Sequence, residues 1–145
     1  MPDAPVFSLE SVNALVPRLN VVLGEQVARR ELIETKLAQL TELLGEPPED
    51  LEPVALDPED VALLRKDAKE LIFAYRAAWK ELEEMGAVVK DPTRGLLDFY
   101  GRVDGELVWL CWQYGEEAVA HYHGLEEGFP GRKAIASAMK KRLLN

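Results

Sequence analysis

Apolar residues recur every three or four positions through the first half of the chain, and they form short β-branched or aromatic runs after Gly86. The first spacing is typical of helices that bury one face, and the second of strands bounded by turns. The predicted fold class is α+β. We expect a long antiparallel helical hairpin, then a small antiparallel sheet of three or four strands, and a short C-terminal helix or tail.

The predicted helices carry recognisable ends. Ser8 suits the N-cap of the first helix, and Gly45 and Gly86 suit the ends of the first and second helices. Pro17 lies inside the first pattern and removes a backbone donor, so we expect a kink or break near residues 13–16. Residues 45–60 contain seven acids, four prolines and no base, which predicts an extended, solvated connection.

The second half contains a hairpin signal. The Asp104–Gly105 step predicts a tight turn between two strands. Side chains alternate across a strand, so Trp109 and Cys111 share one face, as do His121 and His123 in the following strand. We treat residues 1–145 as a single domain, with the helical hairpin at 8–86, the sheet and its closing loop at 87–132, and a basic tail at 133–145.

Composition narrows the classes of function. The 145 residues carry a net charge of -9, which argues against general affinity for nucleic acid or anionic membranes. A single cysteine excludes an intrachain disulfide and a multi-thiolate zinc site. The chain shows neither a signal-peptide pattern nor an apolar run long enough to span a membrane, so we expect a soluble, cytoplasmic protein.

The stretch AVAHYHGLEEGFPGR, residues 118–132, holds both histidines and several acids. His121 and His123 lie about 6.6 Å apart by strand rise, and a metal would need a third ligand. No spacing selects one, so we predict no metal and no cofactor; the third-ligand candidates are Glu116, Glu126, Asp98 and Cys111. Arg132 is expected to pair with a nearby carboxylate, and Cys111 to be a buried, unreactive thiol.

Two segments resemble a known family. FSLESVNALVPRL near the start and GLLDFYGRVDGELVWLCWQYGEEAVAHYHGLEEGFPGR near the end resemble the bacterial family called domain of unknown function 2203. The resemblance implies the same helix-pair-plus-sheet layout and no named activity. At His121 the family usually has an aromatic residue, which weakens the metal interpretation. The residues that match the family pattern are Asn13, Pro17, Gly95, Asp98, Phe99, Cys111, Trp112, Gly115, Glu116, His123, Glu126, Gly128, Gly131 and Arg132.

Three functions follow from these residues. The preferred hypothesis is a small-ligand or protein-interaction module, with a ligand-binding polar cluster that comprises Asp98, Glu116, His123, Glu126 and Arg132. Its ligand would be a small anion or a partner's charged side chain. The second hypothesis is an enzyme with His123 as general acid/base, Glu116 or Glu126 orienting it, and Arg132 binding an anion. The third is a structural protein that acts through its helical hairpin as a homodimer or partner surface.

Overall fold

The computed structural model describes residues 4–136, and it confirms the α+β fold class. Helix α1 spans Leu9–Leu44 and helix α2 spans Glu59–Glu84. Five strands follow: β1 Val88–Asp91, β2 Leu96–Val103, β3 Glu106–Gln113, β4 His121–His123 and β5 Lys133–Ala134. A single 3₁₀ turn at Phe129–Gly131 lies between the last two strands. No helix in the described range is long and apolar enough to cross a membrane.

The start of α1 follows the sequence expectation, but Pro17 does not. The Ser8 hydroxyl accepts the backbone N–H of Ser11 at 3.0 Å, and Ser11 returns a contact to the backbone of Ser8. This reciprocal arrangement satisfies donors that the first turn leaves free. The expected kink or break near residues 13–16 is not a break, because α1 continues through Pro17, and the kink stays a prediction. Val16 and Leu19 on either side are buried, and their packing holds the helix across the missing hydrogen bond.

The chain forms two compact units, of which residues 24–80 make up one. Within it, α1 and α2 run antiparallel, with Gln26 Nε2 donating to the carbonyl of Tyr75 at 2.7 Å. The connection between them has no regular secondary structure, as expected, but it is not simply solvated. Arg65 on α2 holds it by pairing with Asp57 at 2.9 Å and donating to the carbonyl of Asp50.

Among the described residues, the other unit contains 4–23 and 81–136, and so the start of α1, the end of α2 and the whole sheet. The sheet is an antiparallel meander in the order β1-β2-β3-β4-β5. It has more strands than predicted, because Lys133–Ala134 pairs with β4 rather than beginning the tail. The rest of the predicted C-terminal helix or tail, from residue 137 onward, lies outside the described residues.

The β2–β3 hairpin establishes which side chains share a face. Asp104 and Gly105 form the tight turn that the sequence predicted, and both have positive φ, 52° and 81°, which is type I′ geometry. This two-residue turn places Val103 opposite Glu106 and, further along, Asp98 opposite Cys111. One face is apolar and buried, with Leu97, Phe99, Leu110 and Trp112 in the core. The opposite face carries the polar side chains.

Candidate functional site

Three buried side chains meet on the polar face of the sheet, one from each of three neighbouring strands. Asp98 comes from β2, Cys111 from β3 and His123 from β4, and each is only 2% exposed. His123 Nε2 lies 2.9 Å from Asp98 Oδ2. The three ligand-type atoms all lie within 4.8 Å of one another. We call these three residues the buried triad.

The position of β4 depends on a contact from α1. The Asn13 side chain accepts the backbone N–H of Val119 at 2.6 Å and donates to the carbonyl of the same residue at 3.3 Å. The amide therefore pairs with the backbone two residues before β4 as a neighbouring strand would. This anchor sets where β4 begins, and pairing with β3 then puts His123 opposite Trp109.

The closing loop, residues 124–132, is tied to the polar face at several points. His123 Nδ1 donates to the carbonyl of Gly124 at 3.0 Å, and Trp109 Nε1 donates to the carbonyl of Leu125 at 3.2 Å. Glu127 accepts the backbone N–H of Gly124 at 2.9 Å, which holds that peptide in place. The loop is thereby held close to the buried triad.

An ion pair fastens the far end of the loop. Arg132 donates to both carboxylate oxygens of Glu116, at 3.1 and 2.9 Å. The sequence predicted an ion pair for Arg132 with one of several acids, and the structure identifies Glu116. Arg132 also packs over the Phe129 ring, 4.3 Å from its centroid, and its Nη1 lies 3.9 Å from Cys111 Sγ.

The environment shifts the pKa of several of these groups. Burial raises the pKa of Asp98, although His123 and Lys90 oppose the shift. Burial, followed by the nearby Asp98 carboxylate, raises the pKa of the Cys111 thiol to about 11. Burial also acts to raise the pKa of Glu116, but hydrogen bonds from Arg132 and the Gln113 backbone outweigh it and lower that pKa. Cys111 is therefore a neutral thiol near pH 7 and a poor nucleophile.

The structure brings together four of the five predicted cluster residues, in two pairs. His123 pairs with Asp98, and Arg132 pairs with Glu116. Glu126 is exposed in the closing loop, and no hydrogen bond or ion pair of the described residues joins it to the other four. The loop acid that contacts the backbone near the triad is its neighbour Glu127.

The two histidines have different surroundings although they share a strand face. His121 Nδ1 lies 3.8 Å from Glu116 Oε2 and has no hydrogen-bond partner, whereas His123 faces Asp98. They do not converge on one point, so the metal pair considered from their spacing does not form.

Cys111 belongs to the buried triad but not to the polar cluster predicted from the sequence. A signal for it exists in the chain. Counting back from the two-residue Asp104–Gly105 turn places Asp98 opposite Cys111 on one face. The partnership with His123 has no such signal, because the irregular residues 114–120 separate β3 from β4.

Comparison with known proteins adds a family but no activity. A family model described as "Uncharacterized conserved protein (DUF2203)" matches residues 5–135, nearly the whole chain. No curated protein matches the chain significantly, and no solved structure does.

Proposed function

Because this chain belongs to the DUF2203 family, whose description names no activity, we propose its function from the site: a small-ligand-binding module that holds its ligand at the buried triad, beneath the closing loop. The observation that carries the proposal is the burial of Asp98, Cys111 and His123 on one face of the sheet. Packing alone does not call for polar side chains at these positions. Replacing a buried ion pair by well-packed apolar residues is often neutral or stabilising, by roughly 1–4 kcal/mol.

The engaged groups favour one kind of ligand over another. Arg132 already donates from both terminal nitrogens to Glu116. Both ring nitrogens of His123 also have partners. An anionic ligand, which the sequence analysis expected, would have to displace Glu116 from Arg132. The triad itself offers a carboxylate, a thiol and an imidazole, and each of these groups can accept a hydrogen bond or bind a cation. We therefore favour a small cation or a hydrogen-bond donor as the ligand.

The enzyme hypothesis draws less support from the geometry. A general acid/base must reach the proton it transfers, directly or through one water. His123 is 2% exposed and lies under the closing loop, so a substrate would reach it only after the loop moved.

The homodimer hypothesis stays a prediction. Two large apolar side chains on residues 24–80, Leu56 and Phe73, are exposed, at 93% and 76%.

A thermal-shift panel tests the proposal. The full chain is melted alone and with metal ions, amines, small carboxylic acids and nucleotides. A ligand at 100 times its Kd stabilises the folded state by about 2.7 kcal/mol, which raises Tm by roughly 9 °C for a chain of this size. We expect at least one compound to raise Tm in the wild type and to lose that effect in Asp98→Asn.

The matched control is Glu106→Gln, an acid-to-amide change at an exposed position of the same sheet. It should keep the full shift. Circular dichroism of each variant checks that it folds. The proposal fails if no compound shifts the wild type, or if the shift survives in Asp98→Asn.

A further inference from the structure

We propose that the ligand of the buried triad is a divalent transition-metal ion of the zinc type, bound by Asp98, Cys111 and His123. This inference rests on the proposed function, since it names the ligand of that same site. It departs from the sequence-based expectation of no metal. The sequence predicts no metal because neither a second histidine nor a regular spacing supplies the remaining ligands, whereas the fold supplies them from β2 and β3.

The separations suit a single ion. In a tetrahedral site with bonds of about 2.0–2.3 Å, the ligand atoms lie roughly 3.3–3.8 Å apart. The triad atoms lie within 4.8 Å of one another, and the pair formed by His123 Nε2 and Asp98 Oδ2 is 2.9 Å apart. An ion between them would part the carboxylate and the imidazole by about half an ångström and draw the thiol inward. Rotation of short side chains accomplishes movements of that size.

The hydrogen bonds of His123 already orient it as a metal ligand. A carbonyl oxygen only accepts, so the bond to Gly124 means that Nδ1 carries the proton. Nε2 is then the nitrogen whose lone pair can bind a metal, and it points at Asp98. A metal-binding histidine usually donates its other N–H to a carbonyl or carboxylate in this way. Glu127 supports the arrangement from the other side of the same residue, because its carboxylate accepts the backbone N–H of Gly124.

The donor set selects the class of ion. A mixture of sulfur, nitrogen and oxygen suits zinc and its spectroscopic substitute cobalt, whereas calcium and magnesium prefer oxygen ligands alone. Two positive charges, Lys90 and Arg132, act on members of the triad. Arg132 lies 3.9 Å from Cys111 Sγ, but its charge is compensated by Glu116. Its N–H instead faces the sulfur that would carry negative charge in the bound state.

Titration of the full chain with zinc and cobalt tests the inference. After treatment with a chelator and its removal, calorimetry with zinc chloride should show one site per chain. Cobalt chloride should produce the near-ultraviolet charge-transfer absorption that only a cobalt–thiolate bond gives. Because the chain has one cysteine, this band reports on Cys111 alone, and it needs no variant.

Variants assign the remaining ligands. Cys111→Ser and His123→Asn should each weaken zinc binding by roughly tenfold to 100-fold or more. His121→Asn is the matched control, a histidine on the same face of the same strand that lies outside the triad, and it should stay within about threefold of wild type. Circular dichroism of each variant confirms that it is folded before its affinity is compared.

The outcomes separate this inference from the proposed function. Absence of both zinc binding and the cobalt–thiolate band overturns the metal assignment, and so does binding that survives in Cys111→Ser and His123→Asn. If another compound of the thermal-shift panel then stabilises the wild type but not Asp98→Asn, the site binds a ligand that is not a metal. If none does, the proposed function fails as well.

Discussion

The buried pair of Asp98 and His123 makes a strong prediction about stability. Substituting Asp98→Ala leaves His123 Nε2 without its partner at 2.9 Å, in a position where the ring is 2% exposed. The same change removes the carboxylate that lies within 4.8 Å of the Cys111 sulfur. The variant therefore changes the surroundings of both other members of the triad.

The size of the effect follows from burial. Removing one partner of a buried hydrogen bond leaves the other group unsatisfied and typically costs about 1–3 kcal/mol, and more where a charged group is involved. Part of that cost is returned, because burial raises the pKa of Asp98 and so the wild-type carboxylate already pays for desolvation. We expect a loss of about 3 kcal/mol in the free energy of unfolding. With an unfolding entropy of about 2.1 cal/mol/K per residue, this loss lowers Tm by roughly 10 °C.

Urea unfolding followed by circular dichroism, in the presence of a chelator, measures the loss. Asp98→Asn keeps the size of the side chain and one hydrogen bond to His123, and should cost only about 1 kcal/mol. Glu106→Ala, at an exposed position, should stay within about 0.5 kcal/mol of wild type. If Asp98→Ala costs less than about 1 kcal/mol, or no more than Asp98→Asn, the pair does not support the fold as argued.

Other parts of the sheet lead to further predictions. The lowered pKa of Glu116 means that its ion pair stabilises the fold above about pH 4.5 and loses that effect as pH falls through the folded-state pKa. Glu116→Gln should therefore be less stable than wild type by about 1 kcal/mol at pH 7, and urea curves should show the gap closing in acid; a gap independent of pH would contradict this. Gly101→Ala should lower the free energy of unfolding by about 1–3 kcal/mol, because the new Cβ would lie 2.4 Å from Leu110 Cδ1. Thermal melting measures this loss, and an unchanged Tm would show that Leu110 repacks without cost. The buried Cys111 thiol, whose pKa is about 11, should react with a thiol reagent at pH 8 only after denaturation, and rapid labelling of the native chain would refute its burial.

Local signals in the sequence were sufficient for the elements and for part of the site. Helical spacing predicted both helices, Ser8 predicted the first cap, and the Asp104–Gly105 step predicted the β2–β3 hairpin with its faces. The pairing of Arg132 with an acid also followed from the sequence, because an arginine near several carboxylates usually finds one of them. These features depend on residues that are close in the chain or on turn chemistry that one dipeptide specifies.

Contacts between distant residues decided the rest. Pro17 did not break α1, because packing of the buried residues around it outweighs one lost backbone bond. The fifth strand was missed because two residues carry no periodicity, and only pairing with β4 makes them a strand. Glu127 rather than Glu126 holds the Gly124 peptide, a choice between adjacent acids that depends on how the loop turns.

The sequence by itself determined the α+β class, the helix ends, the β2–β3 register and the presence of a polar group of residues near the end of the chain. Only the tertiary structure decided that Asp98, Cys111 and His123 meet, while His121 turns to Glu116. The physical reason is that β4 is placed by the side chain of Asn13, which is 106 positions away from Val119 in the chain. No local propensity encodes a contact of that range, and the chemistry of the site follows from it.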